Sequence, residues 1–232
     1  MKPKILMTGE EGFKNGLFHV LLSRENASAV AEAGGLPIVP NDFGAAEEYA
    51  AWADGLVLTG GKDLHASFYG GMYREYPVTI PYSTPRDLME LGLCRAFLAA
   101  KKPIFAFGRG LHVLNTVLGG NLKEAEGHRG EAVTELSFAD APHTVQVEKG
   151  SRLAAALTDG ATVNSYHHLS ADTLGEGLKA VAFAPDGTVE AVEHESLPVF
   201  AVQWHPEHET EAYKDGAALF RLFLSYCKEE EK

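Results

Sequence analysis

Three stretches of this 232-residue chain gather residue types that do chemistry. In Gln203-Trp204-His205-Pro206-Glu207 an imidazole and a carboxylate stand two positions apart on an extended segment, so both project to one side. His208 and Glu209 follow at once, and imidazole with carboxylate is a common metal-ligand pairing. Asn164-Ser165-Tyr166-His167-His168 adds two imidazoles, as ligands, as pocket-lining groups or as satisfied buried histidines. Phe107-Gly108-Arg109-Gly110 is a tight strand-to-helix turn, whose free N–H groups make a ready anion site. His112 lies four positions past Gly108 and so shares its helix face. Thr59-Gly60-Gly61 ends another apolar strand.

The glycines do not spell a dinucleotide fingerprint. That pattern needs Gly or Ala two residues beyond Leu111, where Val113 stands. Gly9-Glu10-Glu11-Gly12, after the first strand, fails the same pattern. Taken singly, the Gly108 turn is equally a plain strand-to-helix connector.

The elements that must position these groups alternate along the first half. Strands are predicted at 5–7, 36–40, 55–59 and 103–107. Helices are predicted at 17–33, 47–52, 86–100 and 111–118. Leu88, Leu91, Cys94 and Leu98 recur at helical steps, and Gly34-Gly35 and Gly119-Gly120 supply stop signals. Continuous apolar strands alternating with helices call for a mostly parallel sheet covered on both faces, a three-layer α/β sandwich. Segments 133–147 and 181–202 are shorter and partly alternating, with turns such as Pro185-Asp186-Gly187, and imply a small antiparallel addition. A helix from about 212 to 226 closes the chain. Residues 70–85, rich in Tyr, Pro and Gly, are expected as a long loop in which Tyr73, Tyr76 and Tyr82 cover a pocket or merely pack on the surface. In open α/β sheets ligands bind outside the carboxyl ends of strands, where Thr59-Gly60-Gly61, Phe107 to Gly110 and Gln203 to Glu207 fall.

Bulk properties bound the function. A length of 232 residues favours a single domain, 1–232, large enough to bury its own core. A net charge of −12 argues against nucleic acid, whose phosphates call for the opposite sign. No apolar run is long enough to span a bilayer, and no secretory leader is visible, so a cytoplasmic protein without membrane contact is expected. Cys94 and Cys227 fall in predicted helices and are expected as packed cysteines.

Five segments together resemble, in order, the gamma-glutamyl-gamma-aminobutyrate hydrolase (peptidase C26) branch of the class I glutamine amidotransferase-like superfamily. They are Asp54 to Asp63, Arg86-Asp87 with Glu90, Lys102 to Gly120, Asn164 to His168, and Ala201 to Glu207. The resemblance implies a flavodoxin-like fold and a nucleophile elbow at residue 108. It also implies His205 as the proton carrier and Glu207 as its orienting carboxylate. It places the oxyanion at the N–H groups of Gly61 and Arg109, with Gly60, His112, Tyr166, His167 and His168 at the substrate. In that family a cysteine thiolate attacks a gamma-glutamyl amide. The implied ligand is a gamma-glutamyl compound or carboxylate, with a homodimer left open and neither cofactor nor metal implied.

Gly108 stands where the family carries its cysteine, so covalent thioester chemistry cannot start there. His112 and Leu169 stand where the family usually carries glutamine, and Glu124-Ala125 replaces its Gln-Asp. Such clustered departures point to natural drift. The expectation is a gamma-glutamyl hydrolase homologue with impaired or lost amidase activity. The alternatives are an active hydrolase with an engineered change at 108, or a non-catalytic regulatory or scaffold protein. Glycine also adopts freely the backbone angles that strain other residues at an elbow.

Overall fold

The computed structural model describes residues 1–42, 44–70, 84–130, 132–134, 137–138, 140–208 and 215–228. Its centre is an eight-stranded sheet. We label its strands β1 (Lys4–Met7), β2 (Leu36–Ile38), β3 (Gly55–Leu58), β4 (Ile104–Phe107), β5 (Gln146–Val147), β6 (Leu178–Phe183), β7 (Val189–His194) and β8 (Val199–Val202). The helices are α1 (Arg24–Glu32), α2 (Ala46–Trp52), α3 (Thr84–Ala99), α4 (Arg109–Val117) and α5 (Gly216–Tyr226).

The strand order is β5-β6-β7-β8-β4-β3-β1-β2. From β8 to β2 every pairing is parallel, and from β5 to β8 every pairing is antiparallel. The expected mostly parallel sheet with an antiparallel addition at one side is therefore what forms.

Strands β3, β4 and β8 are buried along their whole length, which explains their unbroken apolar sequences. Alternation along β4 splits its side chains between two layers. Phe105 and Phe107 pack with Val30 of α1 and Phe220 and Phe223 of α5. Ile104 and Ala106 pack with Ala50 of α2, Phe97 of α3 and Leu114 of α4. The result is helix, sheet, helix, in three layers.

One expectation is corrected. Leu17 to Leu21 is not helical but pairs antiparallel with Glu10–Lys14 in a hairpin. Asn15 and Gly16 form its turn, both with positive φ (55° and 80°), as a tight hairpin turn demands. Helix α1 starts only after Ser23, whose hydroxyl caps the Asn26 N–H. The expected start of the last helix at 212, the tyrosines of the 70–85 loop and Glu209 lie outside the described residues.

Candidate active site

Register along the central strands brings the three chemical stretches together. Leu58 of β3 pairs with Ala106 of β4, and Phe107 of β4 pairs with Val202 of β8. Their next residues, Thr59-Gly60-Gly61, Gly108 and Gln203-Trp204-His205, therefore emerge side by side at one edge. The Gly108 N–H donates to the Val202 carbonyl at 3.0 Å, fixing the turn to β8. Gly108 has φ 54° and ψ −121°, a conformation that favours glycine. Gly110 is forced for another reason: a side chain there would strike the Leu58 carbonyl oxygen at 2.1 Å.

His205 sits over this turn. A Cβ at Gly108 would lie 3.1 Å from His205 Nε2. The other ring nitrogen, Nδ1, is 2.8 Å from Glu207 Oε1. Because the carboxylate accepts, Nδ1 carries the proton and Nε2 is turned toward position 108. Burial alone would lower the proton affinity of His205, but the Glu207 charge and hydrogen bond outweigh it and hold the imidazole above its ordinary value. Asn164 clamps the His205 backbone from both sides, its amide donating to the carbonyl at 2.9 Å and accepting from the N–H at 2.8 Å. Gly60 lies beneath the ring, where a Cβ would fall 2.4 Å from Cε1.

A cavity of about 670 Å³ opens in front of the turn. Gly61, Gly108, Arg109, His112, Tyr166, His167, His168 and His205 all line it, and Gly60 does not. Among the described residues, no thiol and no serine or threonine hydroxyl lines it. His112 is buried and donates from Nε2 to Gln203 Oε1 at 3.0 Å. Burial pushes it down to about 4, so it is neutral at pH 7 and a poor base for activating water. His168 meets Asp63 at 2.8 Å. His208 stacks on His205 with ring centroids 5.4 Å apart. Both cysteines are buried away from this cavity, and burial raises the Cys94 thiol to about 12 and the Cys227 thiol as well.

Beneath the cavity floor lies a buried quartet of charges. Arg86 Nε meets Glu90 Oε1 at 2.9 Å, Arg109 meets Asp87 Oδ1 at 2.5 Å, and Arg109 also pairs with Glu90. Arg86 further donates to Thr59 Oγ1 at 3.1 Å and the Gly60 carbonyl at 2.8 Å. Gly61, with φ 141°, has no room for a side chain because a Cβ would meet Arg86 at 2.2 Å. The quartet thus ties helix α3 to both glycine turns. Burial lowers the two guanidiniums, Arg86 to about 10 and Arg109 to about 9, and both remain charged at neutral pH.

Sequence motifs located the strand-end turns and the histidines. They did not give Asn164 as the clamp on His205, Asp63 as the partner of His168, or Glu10, Glu11, Gly12 and Leu21 of the hairpin as one cavity wall. The Asn15-Gly16 turn was the signal that could have revealed that wall.

Residues 7–207 match the Peptidase C26 family, and the chain belongs to it. Among curated relatives, Protein NtpR of Enterococcus hirae is 36% identical over 206 residues, covering 85% of each chain. Gamma-glutamyl-gamma-aminobutyrate hydrolase PuuD of Escherichia coli is 34% identical over 224 residues, covering 89% of this chain and 86% of the relative. Solved structures agree in fold. A glutaminase domain of Trypanosoma brucei CTPS with bound acivicin superposes with TM-score 0.66 at 15% identity, covering 100% of this chain and 96% of that one. A GMP synthase component from Thermoplasma acidophilum reaches 0.70 at 17% identity, covering 98% and 94%.

Proposed function

We propose that this protein binds a gamma-glutamyl compound or a related small carboxylate in the cavity before Gly108, with amide hydrolysis impaired or lost. The carrying observation is that the His205–Glu207 pair is aimed at position 108, where no nucleophilic atom exists. Position 108 precedes the N-terminus of α4, where backbone N–H groups and the helix dipole favour a carboxylate or a carbonyl oxygen. His205, held above its ordinary proton affinity, adds a donor on the other side of such a ligand. Gly61 and Arg109 N–H groups are assigned to its oxygen, and Tyr166 and His168 to the cavity wall.

Titration calorimetry with glutamate and gamma-glutamyl amines, beside a hydrolysis assay of the same compounds, tests this. Binding without turnover is expected. Turnover by the unaltered chain, or absence of binding to every compound, overturns it.

The intact proton-carrying pair and its Asn164 clamp favour a second reading, a family hydrolase altered only at residue 108. That reading expects Gly108→Cys to restore strong hydrolysis. The first expects little, because His112 and Leu169 occupy positions where the family usually has glutamine.

A further inference from the structure

Three imidazoles, His128, His143 and His167, converge on one buried carboxylate. Oε1 of Glu190 is 3.4 Å from His128 Nδ1, 3.4 Å from His143 Nε2 and 3.3 Å from His167 Nε2. Glu190 is fully buried, and His128 and His167 are nearly so. None of these three nitrogens, and neither Glu190 oxygen, has a neighbour in hydrogen-bond geometry. Buried polar atoms left in this way are rare in native proteins and call for a cause, a bound ion among them.

The outer nitrogens explain the arrangement. His128 Nε2 is 3.0 Å from the Asp186 carboxylate, and His167 Nδ1 is 3.0 Å from the Leu169 carbonyl. His143 bonds the backbone of Ala141. For His128 and His167 the partner is an acceptor, so the outer nitrogen carries the proton. In a neutral ring the inner nitrogen is then a lone pair, so the lone pairs of His128 and His167 face a carboxylate oxygen. Acceptors facing acceptors in a dry interior repel unless a cation, whether a proton on one ring or a metal ion, lies among them. Fixing the outer nitrogen with a carboxylate or carbonyl is the usual support for a metal-bound histidine.

The spacing fits as well. Zinc bonds of about 2.0–2.1 Å at tetrahedral angles put neighbouring ligand atoms roughly 3.3 Å apart. One ligand atom each from His128, His143 and Glu190 lies within 4.8 Å of the others. We propose that His128, His143 and Glu190 hold a divalent first-row transition ion, with zinc the expected occupant. Nitrogen and carboxylate ligands without thiolate suit such an ion. A divalent ion on one carboxylate leaves one positive charge, which the Asp186 carboxylate behind His128 offsets. The ion would join the loop at His128, the short strand at His143 and β7 at Glu190. This is a structural role, separate from the His205 pair and independent of which ligand the cavity takes.

The test is metal content by plasma mass spectrometry of the purified full chain, after zinc loading and desalting. It is paired with melting temperature with and without a chelator. About one zinc per chain and a lower melting temperature after chelation are expected. Glu190→Gln and His143→Gln should abolish retention, while His208→Ala, at the other histidine cluster, should not. Cobalt added to the metal-free chain should give the visible bands of a tetrahedral site, a readout that survives if a variant fails to fold. A folded, unaltered chain that retains no zinc and gives no cobalt bands overturns the proposal. So does zinc retained by His143→Gln but lost in His208→Ala.

Discussion

Nε2 of His205 stands 3.1 Å from where the first side-chain atom of residue 108 would be. The imidazole has settled against a glycine, and any larger residue must push it back by a few tenths of an ångström. Its side chain is 22% exposed, so it has room to yield. The obstacle to a side chain at 108 is therefore mainly the backbone.

Gly108→Ala should lower stability by about 1–3 kcal/mol, the cost of a non-glycine residue held at such angles. Urea unfolding of the two proteins measures it. Equal midpoints would mean that the turn relaxes to a conformation open to any residue.

Glu207→Gln should lower the titration midpoint of His205. Because the folded-state value is raised, the pair stabilises the fold fully below the ordinary histidine value near 6.5, and that contribution fades as pH rises through the folded value. Histidine ring NMR shifts followed against pH, with and without the substitution, give both midpoints. An unchanged midpoint would remove Glu207 as the cause.

His112 works in the opposite sense. The unfolded chain takes up its proton near pH 6.5, whereas the folded protein refuses it until about 4. Unfolding is thus increasingly favoured as pH falls across that window. His112→Gln, which cannot titrate, should flatten the fall in stability between those values. The titratable groups facing the ring are Asp63, His167 and His168. An identical pH profile in the variant would place the acid sensitivity elsewhere.

Arg109→Met should destabilise by about 3–5 kcal/mol, since it removes the ion-pair partner of buried Asp87 and leaves Glu90 with Arg86 alone. Replacing all four members, Arg86, Asp87, Glu90 and Arg109, together by apolar residues should cost less than the single change. Chemical denaturation of both variants decides this. A single-change loss below about 1 kcal/mol would put the quartet in the class of solvent-screened surface pairs.

Where the sequence was legible, the reason is local. Gly55–Leu58 and Ile104–Phe107 are short, wholly apolar runs ending in glycine turns, and such runs have few other fates in a chain of alternating helices. The hairpin was misread because Leu17, Val20 and Leu21 repeat at helical spacing, while the true determinant was the pair of left-handed residues Asn15 and Gly16. Short strands such as His143–Thr144 were legible only as a region, since their pairing is set by distant partners. The Glu190 cluster was invisible for the same reason. Its members at 128, 143, 167 and 190 share no motif and meet only through the antiparallel edge of the sheet.

The left-handed turn at residue 108 makes replacement there directional over evolutionary time. Glycine entering the position releases strain, so the fold tolerates its arrival. Any other residue entering there must take on that strain and nudge the His205 imidazole aside. Descendants of such a chain would meet a ratchet, in which arriving at glycine is downhill and leaving it needs compensating changes elsewhere first.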